Sequence, residues 1–415
     1  MEFTRFVFFA VGQGSCTLIS FPPRAKGQSR RYAIVDCNQS DAASVRDYLE
    51  SPWFPDEAPL KGPPYALSFV ALTHYDCDHF NGVNVLLGGT EGLAGKSPAF
   101  HCGFFLYPLI PPRIMLRCYK PKSVFNRQLQ EMSLLAFDRH AVRRRSYAFD
   151  ASYDALVPSK KGRIRIRCIA PTCEAKDRLM CKVLAMASRL DRKPQKENLL
   201  SAALQVQFGK AVVTLGGDVV DKEWGRVRAE HEPGRLHELS SRAVLAPHHG
   251  GEGNCDDLWA VASRKSPFHL ARKAESAEAR AVCERRKTKT VAVISCGEGH
   301  INHPSLATLQ TLKKHNTDVI CTSPNAHCIE YFTKEKAEVP CRRNGGPLTA
   351  RTELALPSGL AYVGEDSLEF PRGIEPAETD NRRAVCLDVY ETGEIRQLST
   401  FGDCCAWTQL DIPPS

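Results

Sequence analysis

The chain has 415 residues, 43% hydrophobic and 25% charged, with a formal charge of +8. That length gives one large domain or two ordinary ones, and the composition is that of a soluble globular protein rather than a disordered or fibrous one. The longest apolar stretches, residues 3–11 and 100–110, are far too short to cross a bilayer, so no membrane role is expected.

Strands are predicted at 3–11, 15–20 and 31–37, the first two joined by Gly12-Gln13-Gly14. Acidic Glu2 and that glycine turn make the first run a strand rather than a secretion signal. Ser40 or Asp41 caps a helix reaching residue 50, residues 52–64 form a Pro-rich loop, and a buried strand follows at 65–73. A short helix is expected at 81–87. Between about 90 and 200 the pattern loosens, with strands at 104–107 and 163–169 and helices at 126–137 and 174–190. More regular elements follow: strands at 202–208 and 211–215 around Gly209-Lys210, a helix at 222–230, a strand at 242–246 and helical segments within 256–288. A strand at 291–295 precedes a helix with Pro304 near its first turn, and short strands at 318–321 and 328–332 close this part. From about 336 proline and glycine increase and apolar runs shorten, leaving a hairpin at 383–390 and 394–398 in an extension of unknown role.

The densest chemistry lies at the end of the 65–73 strand. His74, Asp76, Asp78 and His79 are four candidate ligands within six residues. Side chains leaving a rigid strand on a tight turn can converge on one point. Imidazole with carboxylate suits zinc, manganese or iron better than magnesium or calcium, which prefer oxygen alone. Asp218 and the pair His248-His249 also terminate apolar strands, where functional residues collect in mixed α/β folds. Taken singly, Asp218 could cap a helix, His248-His249 could form a satisfied turn, and His303 could cap the helix at Pro304. Taken together they form a candidate site for one or two divalent ions. Basic residues gather at Arg143-Arg144-Arg145, along 160–167 and at Arg285-Arg286-Lys287, patches open to a polyanion but equally to solvent. The 17 cysteines, odd in number and without a Cys-x-x-Cys pair, suggest neither a disulfide framework nor a zinc ribbon, and fit buried thiols in a reducing cytoplasm.

These motifs, in order, resemble those of the metallo-β-lactamase superfamily, and within it the hydrolase domain of the ComEC competence protein and its soluble relatives. Residues 9–15, Phe-Ala-Val-Gly-Gln-Gly-Ser, resemble that group's opening "VGQGD", and Ala33-Ile34-Val35-Asp36-Cys37 resembles its "LIDxG". The His74-x-Asp76-x-Asp78-His79 stretch is similar to its variant of HxHxDH, with aspartate for the middle histidine. Residues 201–218, 246–250 and 293–304 resemble "SLVLxLxYGxxxxLLTGD", "VPHHGS" and "ISVG…HPS". The resemblance implies an αββα four-layer sandwich over residues 1–335, with a variable helical insertion at about 90–200 and a small C-terminal extension at 336–415. It further implies that His74 and Asp76 serve one metal, Asp78 and His79 another, and that Asp218 bridges them. His248 is the first choice for the remaining ligand and His249 the second; Asp36 supports the metal loop, and His303 sits at the mouth. No histidine takes a clear third-motif position, since His101 and His140 lack its context, so mononuclear or manganese-dependent behaviour stays open.

The expected activity is metal-assisted hydrolysis, with a phosphodiester such as nucleic acid as substrate. Asp78 or Asp218 would handle the nucleophile's proton, and His303 or His249 would assist the leaving oxygen. A thioester, lactam or peptide hydrolase is an alternative. So is a partner-controlled effector or regulatory subunit with a structural metal, docking its partner through the 90–200 insertion or the C-terminal extension.

Overall fold

The computed structural model describes residues 2–9, 15–25, 27–38, 41–50, 54, 57, 60, 64–87, 100–108, 116, 124–137, 142–147, 157, 164–189, 201–231, 235–251, 255–263, 290–295, 304–315, 317–322, 342–343, 346–347, 384–393, 395–401 and 405–406. In chain order the first half contains β1 (Phe3–Phe9), β2 (Thr17–Phe21), β3 (Arg31–Val35), α1 (Asp41–Glu50), β4 (Tyr65–Ala71) and α2 (Cys77–Leu86). There follow β5 (Phe100–Tyr107), α3 (Val124–Phe137), β6 (Val142–Tyr147), β7 (Ile164–Ala170) and α4 (Cys173–Arg189). The second half contains β8 (Ala203–Phe208), β9 (Ala211–Leu215), α5 (Asp221–His231), β10 (Ala243–Leu245), α6 (Asp256–Ala262), β11 (Val291–Ile294), α7 (Leu306–Lys314) and β12 (Asp318–Cys321). A small ladder of β13 (Arg342–Arg343) and β14 (Gly346–Pro347) precedes β15 (Ala384–Tyr390), β16 (Ile395–Phe401) and β17 (Cys405–Ala406).

Two large sheets result. One is eight-stranded, in the order β16-β15-β1-β2-β3-β4-β5-β6; the other is seven-stranded, in the order β17-β12-β11-β10-β9-β8-β7. The period-2 alternation of the strands assigns their faces. In β1, Phe6 and Phe8 point into a core shared with Leu204, Val206, Val213 and Leu245 of the other sheet. Val7 and Phe9 point the opposite way, toward Val45 and Tyr48 of α1 and Phe80 and Val83 of α2. On the far side, Val244, Ala292 and Ile294 pack with Trp224 of α5, Trp259 of α6 and Leu309 of α7. Helices, sheet, sheet, helices: the chain is an αββα four-layer sandwich. Among the described residues no helix is long and apolar enough to cross a membrane.

In the 90–200 stretch, β5 and β6 extend the first sheet in parallel from β4, and β7 is the edge of the second. In the 336–415 stretch, β15 pairs antiparallel along β1, from Phe3↔Tyr390 to Phe9↔Ala384, and β17 pairs with β12. The hairpin read at 383–398 is present, but its partner strand lies at the other end of the chain.

That pairing is locked by a buried ionic network. Arg5 donates through Nε and Nη2 to both oxygens of Asp388 at 2.8 and 3.1 Å, and through Nη1 to Glu57 at 3.0 Å. Ser20, Tyr32 and Tyr48 hydroxyls also donate to Glu57, and Phe54 stacks on the Arg5 guanidinium. Burial opposes the Arg5 charge, but Asp388 and Glu57 outweigh it and raise the guanidinium pKa above its ordinary value.

α2 carries part of the candidate site and packs through Gly82 on the turn after β3, with Gly82 N–H donating to Cys37 O at 2.8 Å. A Cβ at Gly82 would overlap the Asn38 carbonyl and lie 2.6 Å from Cys37 Sγ. Gly82→Ala is therefore expected to lower stability by about 1–3 kcal/mol, the usual cost of overpacking, although alanine is the better helix former. Urea unfolding would check this, and an unchanged midpoint would place α2 farther from the turn.

Candidate metal centre

β3 and β4 are parallel in the first sheet, and β9, β10 and β11 are parallel in the second. Their C-terminal ends meet on one edge, where Ala202 N–H, just before β8, donates to Thr73 O at 2.8 Å. Asp36 follows β3, the Thr73–His79 turn follows β4, Asp218 follows β9, His248-His249 follow β10 and Ser295 follows β11. Residues far apart in the chain are thus delivered to one place by a single architectural rule.

The hydrogen bonds fix which imidazole nitrogens carry protons. Asp36 Oδ1 accepts from Thr73 N–H and its Oδ2 from Thr73 Oγ1, both at 2.7 Å. The threonine hydroxyl proton is therefore spent on Asp36, and Thr73 Oγ1 must accept from His74 Nδ1, 3.0 Å away. Asp36 Oδ2 also accepts from His79 Nδ1 at 2.8 Å, and Ser295 O accepts from His249 Nδ1 at 2.8 Å. In their neutral forms His74, His79 and His249 thus all present Nε2 as a lone pair.

Those lone pairs face carboxylates. His74 Nε2 stands 3.6 Å from Asp218 Oδ2, His79 Nε2 3.3 Å from Asp218 Oδ1, and His249 Nε2 3.3 Å from Asp78 Oδ2. Two lone pairs at such separations repel unless a proton or a cation stands between them. Among the described residues His74 Nε2 and His79 Nε2 are buried and make no hydrogen bond. The ligand atoms form two groups within which all separations are below 4.8 Å: His74, His79 and Asp218, and Asp78, His79 and His249. This donor set of imidazole and carboxylate fits a divalent ion such as zinc or manganese.

The electrostatics carry the same demand for positive charge. Burial opposes a charged His79, yet Asp218 and Asp36 raise its pKa well above the usual imidazole value. Burial likewise opposes a charged Asp218, but His79 and His74 hold its carboxyl well below the ordinary range. Burial, with His79 beside it, pushes His74 down to about 4, leaving it the neutral imidazole a metal requires. Burial also works against the Asp78 carboxylate, and His249 and His79 outweigh it and lower its pKa.

The remaining expected residues fall as follows. Asp76 stands outside both groups and caps α2, its Oδ1 accepting from Cys77 N–H at 3.0 Å. Asp78 and His79 lie in the first turn of that helix, which starts four residues before the expected position, residue 77 against 81. His248 donates from Nδ1 to Asp218 Oδ2 at 2.7 Å, while His249, the second choice, reaches the Asp78–His79 group. His101 pairs with Ala66 near the start of β4, at the end of the sheet away from the cluster. His140 and His303 lie outside the described residues. Ser295 is the functional residue that reading the sequence missed; a backbone carbonyl leaves no mark in the amino-acid pattern.

Fold and site together define a four-layer sandwich with a buried imidazole–carboxylate cluster at the strand ends. No family model matches the sequence, and no curated protein matches it. Among solved structures the chain is similar to Zn(2+)-bound PqqB from Methylobacterium extorquens, at 11% identity and a TM-score of 0.35, covering 76% of this chain and 97% of that one. It is similar to a long form RNase Z from yeast at 8% identity and a TM-score of 0.30, covering 71% and 37%. A mutant of CmlA beta-hydroxylase gives 11% identity and a TM-score of 0.31, covering 74% and 47%. Overlays this loose carry no argument, and the metal reading stands on the geometry of the site itself.

Proposed function

We propose that the chain is a metal-dependent hydrolase of the metallo-β-lactamase superfamily that cleaves a phosphodiester, with nucleic acid as the substrate class. The observation that carries the metal is the set of buried imidazoles locked with Nε2 lone pairs toward Asp78 and Asp218. The preference for a phosphodiester rests on the motif resemblance and on the charge of +8, which draws a polyanion.

Asp78, His79, His249 and Asp218 would hold the cation, with His74 beside Asp218. A bound divalent ion lowers the pKa of a coordinated water to about 7 and polarises a phosphoryl oxygen. The protein supplies the rest. Asp36, Thr73 and Ser295 fix ring orientation and tautomer, so the donors need no rearrangement on binding. Asp78 is the more accessible carboxylate, with 30% of its side chain exposed against 4% for Asp218, and it is the better placed to take the nucleophile's proton. His248, hydrogen-bonded to Asp218 and 38% exposed, is accessible to a substrate and would assist its leaving oxygen.

The test is to strip the protein with chelator, reload it with zinc or manganese, and assay single-stranded DNA, RNA and a chromogenic phosphodiester. Cleavage is expected only after reloading and is expected to vanish in Asp218→Ala and His79→Ala. Activity that survives both substitutions would overturn the assignment. Full metal occupancy without cleavage of any of these substrates would redirect the reading to a non-phosphate bond.

A further inference from the structure

The two ligand groups share one residue. His79 belongs to both, and its Nε2 stands 3.3 Å from Asp218 Oδ1 and 3.8 Å from Asp78 Oδ2. An imidazole nitrogen has a single in-plane lone pair, which binds one cation. The other nitrogen cannot substitute, because Nδ1 donates to Asp36. Two ions therefore cannot each have the full set of donors that the geometry offers.

We propose, building on the metal-dependent reading above, that the chain holds one ion tightly on Asp78, His79 and His249. Asp218 Oδ1 joins them, and His248 takes the place at Asp218 Oδ2 that a second ion would need. Asp218 Oδ1 lies 3.3 Å from His79 Nε2 and would supply a fourth donor, the number a zinc-like ion takes. Oδ2 already accepts the His248 Nδ1 proton at 2.7 Å. Among the described residues the His74 side keeps one imidazole lone pair, that of His74, 3.6 Å from that same engaged oxygen. Asp76, the acid expected to strengthen this side, spends Oδ1 on capping α2 and belongs to neither ligand group.

The backbone after β10 explains how adjacent histidines serve opposite sides of the centre. His248 and His249 both adopt left-handed conformations, with φ of 49° and 53°, and Gly250 follows at 72°. Left-handed conformation is unfavourable for a non-glycine residue, and such strain persists where surrounding structure holds it. Here His248 N–H donates to Gly217 O at 2.8 Å, and Ser305 N–H donates to Gly250 O at 2.7 Å. The turn sends the His248 ring to Asp218 and the His249 ring to Asp78.

The experiment uses the full chain, stripped and titrated with zinc alone, with calorimetry for affinity and metal analysis after desalting for retained equivalents. One retained equivalent is expected for the wild type and for His74→Ala, and none for His249→Ala. If His249→Ala fails to fold by circular dichroism, Asp78→Asn gives the same reading. His248→Ala frees Asp218 Oδ2 and is expected to add a second, weaker equivalent. Two equivalents of similar affinity in the wild type would overturn the single-ion assignment and leave the metal-dependent reading standing. So would retention by His249→Ala together with loss in His74→Ala. An unchanged count in His248→Ala would overturn the role given to that residue. No retained zinc in the wild type would overturn both readings.

Discussion

A chain ending at residue 383 is expected not to fold cooperatively. β15 covers one whole edge of β1, and Val385, Leu387 and Val389 fill the core between the sheets. Truncation opens that core and leaves Arg5, 1% exposed, without its bidentate partner. Breaking a buried ion pair by removing one member costs about 3–5 kcal/mol, since the remaining charge stays desolvated. Asp388→Ala isolates this contribution and is expected to lose that amount in urea unfolding. Arg5→Met combined with Asp388→Leu and Glu57→Gln is expected to recover much of it, because the three changes together remove both carboxylates with the guanidinium and leave the hydroxyls of Ser20, Tyr32 and Tyr48 an acceptor. An Asp388→Ala protein as stable as wild type would mean that Glu57 alone satisfies Arg5.

Asp36→Asn is expected to disable the metal centre while leaving the shape of the protein intact. Asp36 sits in a left-handed conformation, φ 54°, which asparagine tolerates. Thr73 N–H is an obligate donor, so the asparagine carbonyl must face it, as Asp36 Oδ1 does now. The amide nitrogen then points at His79 Nδ1, which has to accept rather than donate. That moves the ring proton to Nε2 and removes the lone pair a cation needs. Loss of outer hydrogen-bond partners costs roughly 10–100-fold in metal affinity, and reversing a tautomer belongs at the upper end, about 100-fold. Calorimetric zinc titration with circular dichroism as a folding control measures it. Unchanged affinity would show that His79 is not a ligand through Nε2.

The central strands were legible because they end abruptly. An apolar run into His74–His79 yields β4, and the runs before Asp218 and His248-His249 yield β9 and β10. The same contrast between apolar strand and polar tip groups His74–His79, Asp218 and His248-His249 into one candidate site, but does not decide between the two adjacent histidines. Less local features were hidden. The start of α2 was obscured because its first turn carries site residues rather than an apolar stripe, and its cap, Asp76, looked like a ligand. β6 contains Arg143-Arg144-Arg145 and lacks period-2 apolarity. It is an edge strand held by backbone pairing to β5, and charge on such an edge discourages further pairing. The link from Arg5 to Asp388 and Glu57 unites a strand, a distant hairpin and a Pro-rich loop, and no window of sequence contains all three.

The union of β1 with β15 also has a consequence for biosynthesis. Arg5 and Asp388 are separated by 383 positions, so β1 leaves the ribosome long before its partner strand. At about 5–20 residues per second that wait is roughly 20–80 s, during which an apolar strand edge stays open on the nascent polypeptide. Newly made molecules should therefore depend on chaperone shielding until β15 has emerged, and should aggregate readily when elongation stalls before the closing hairpin has been made.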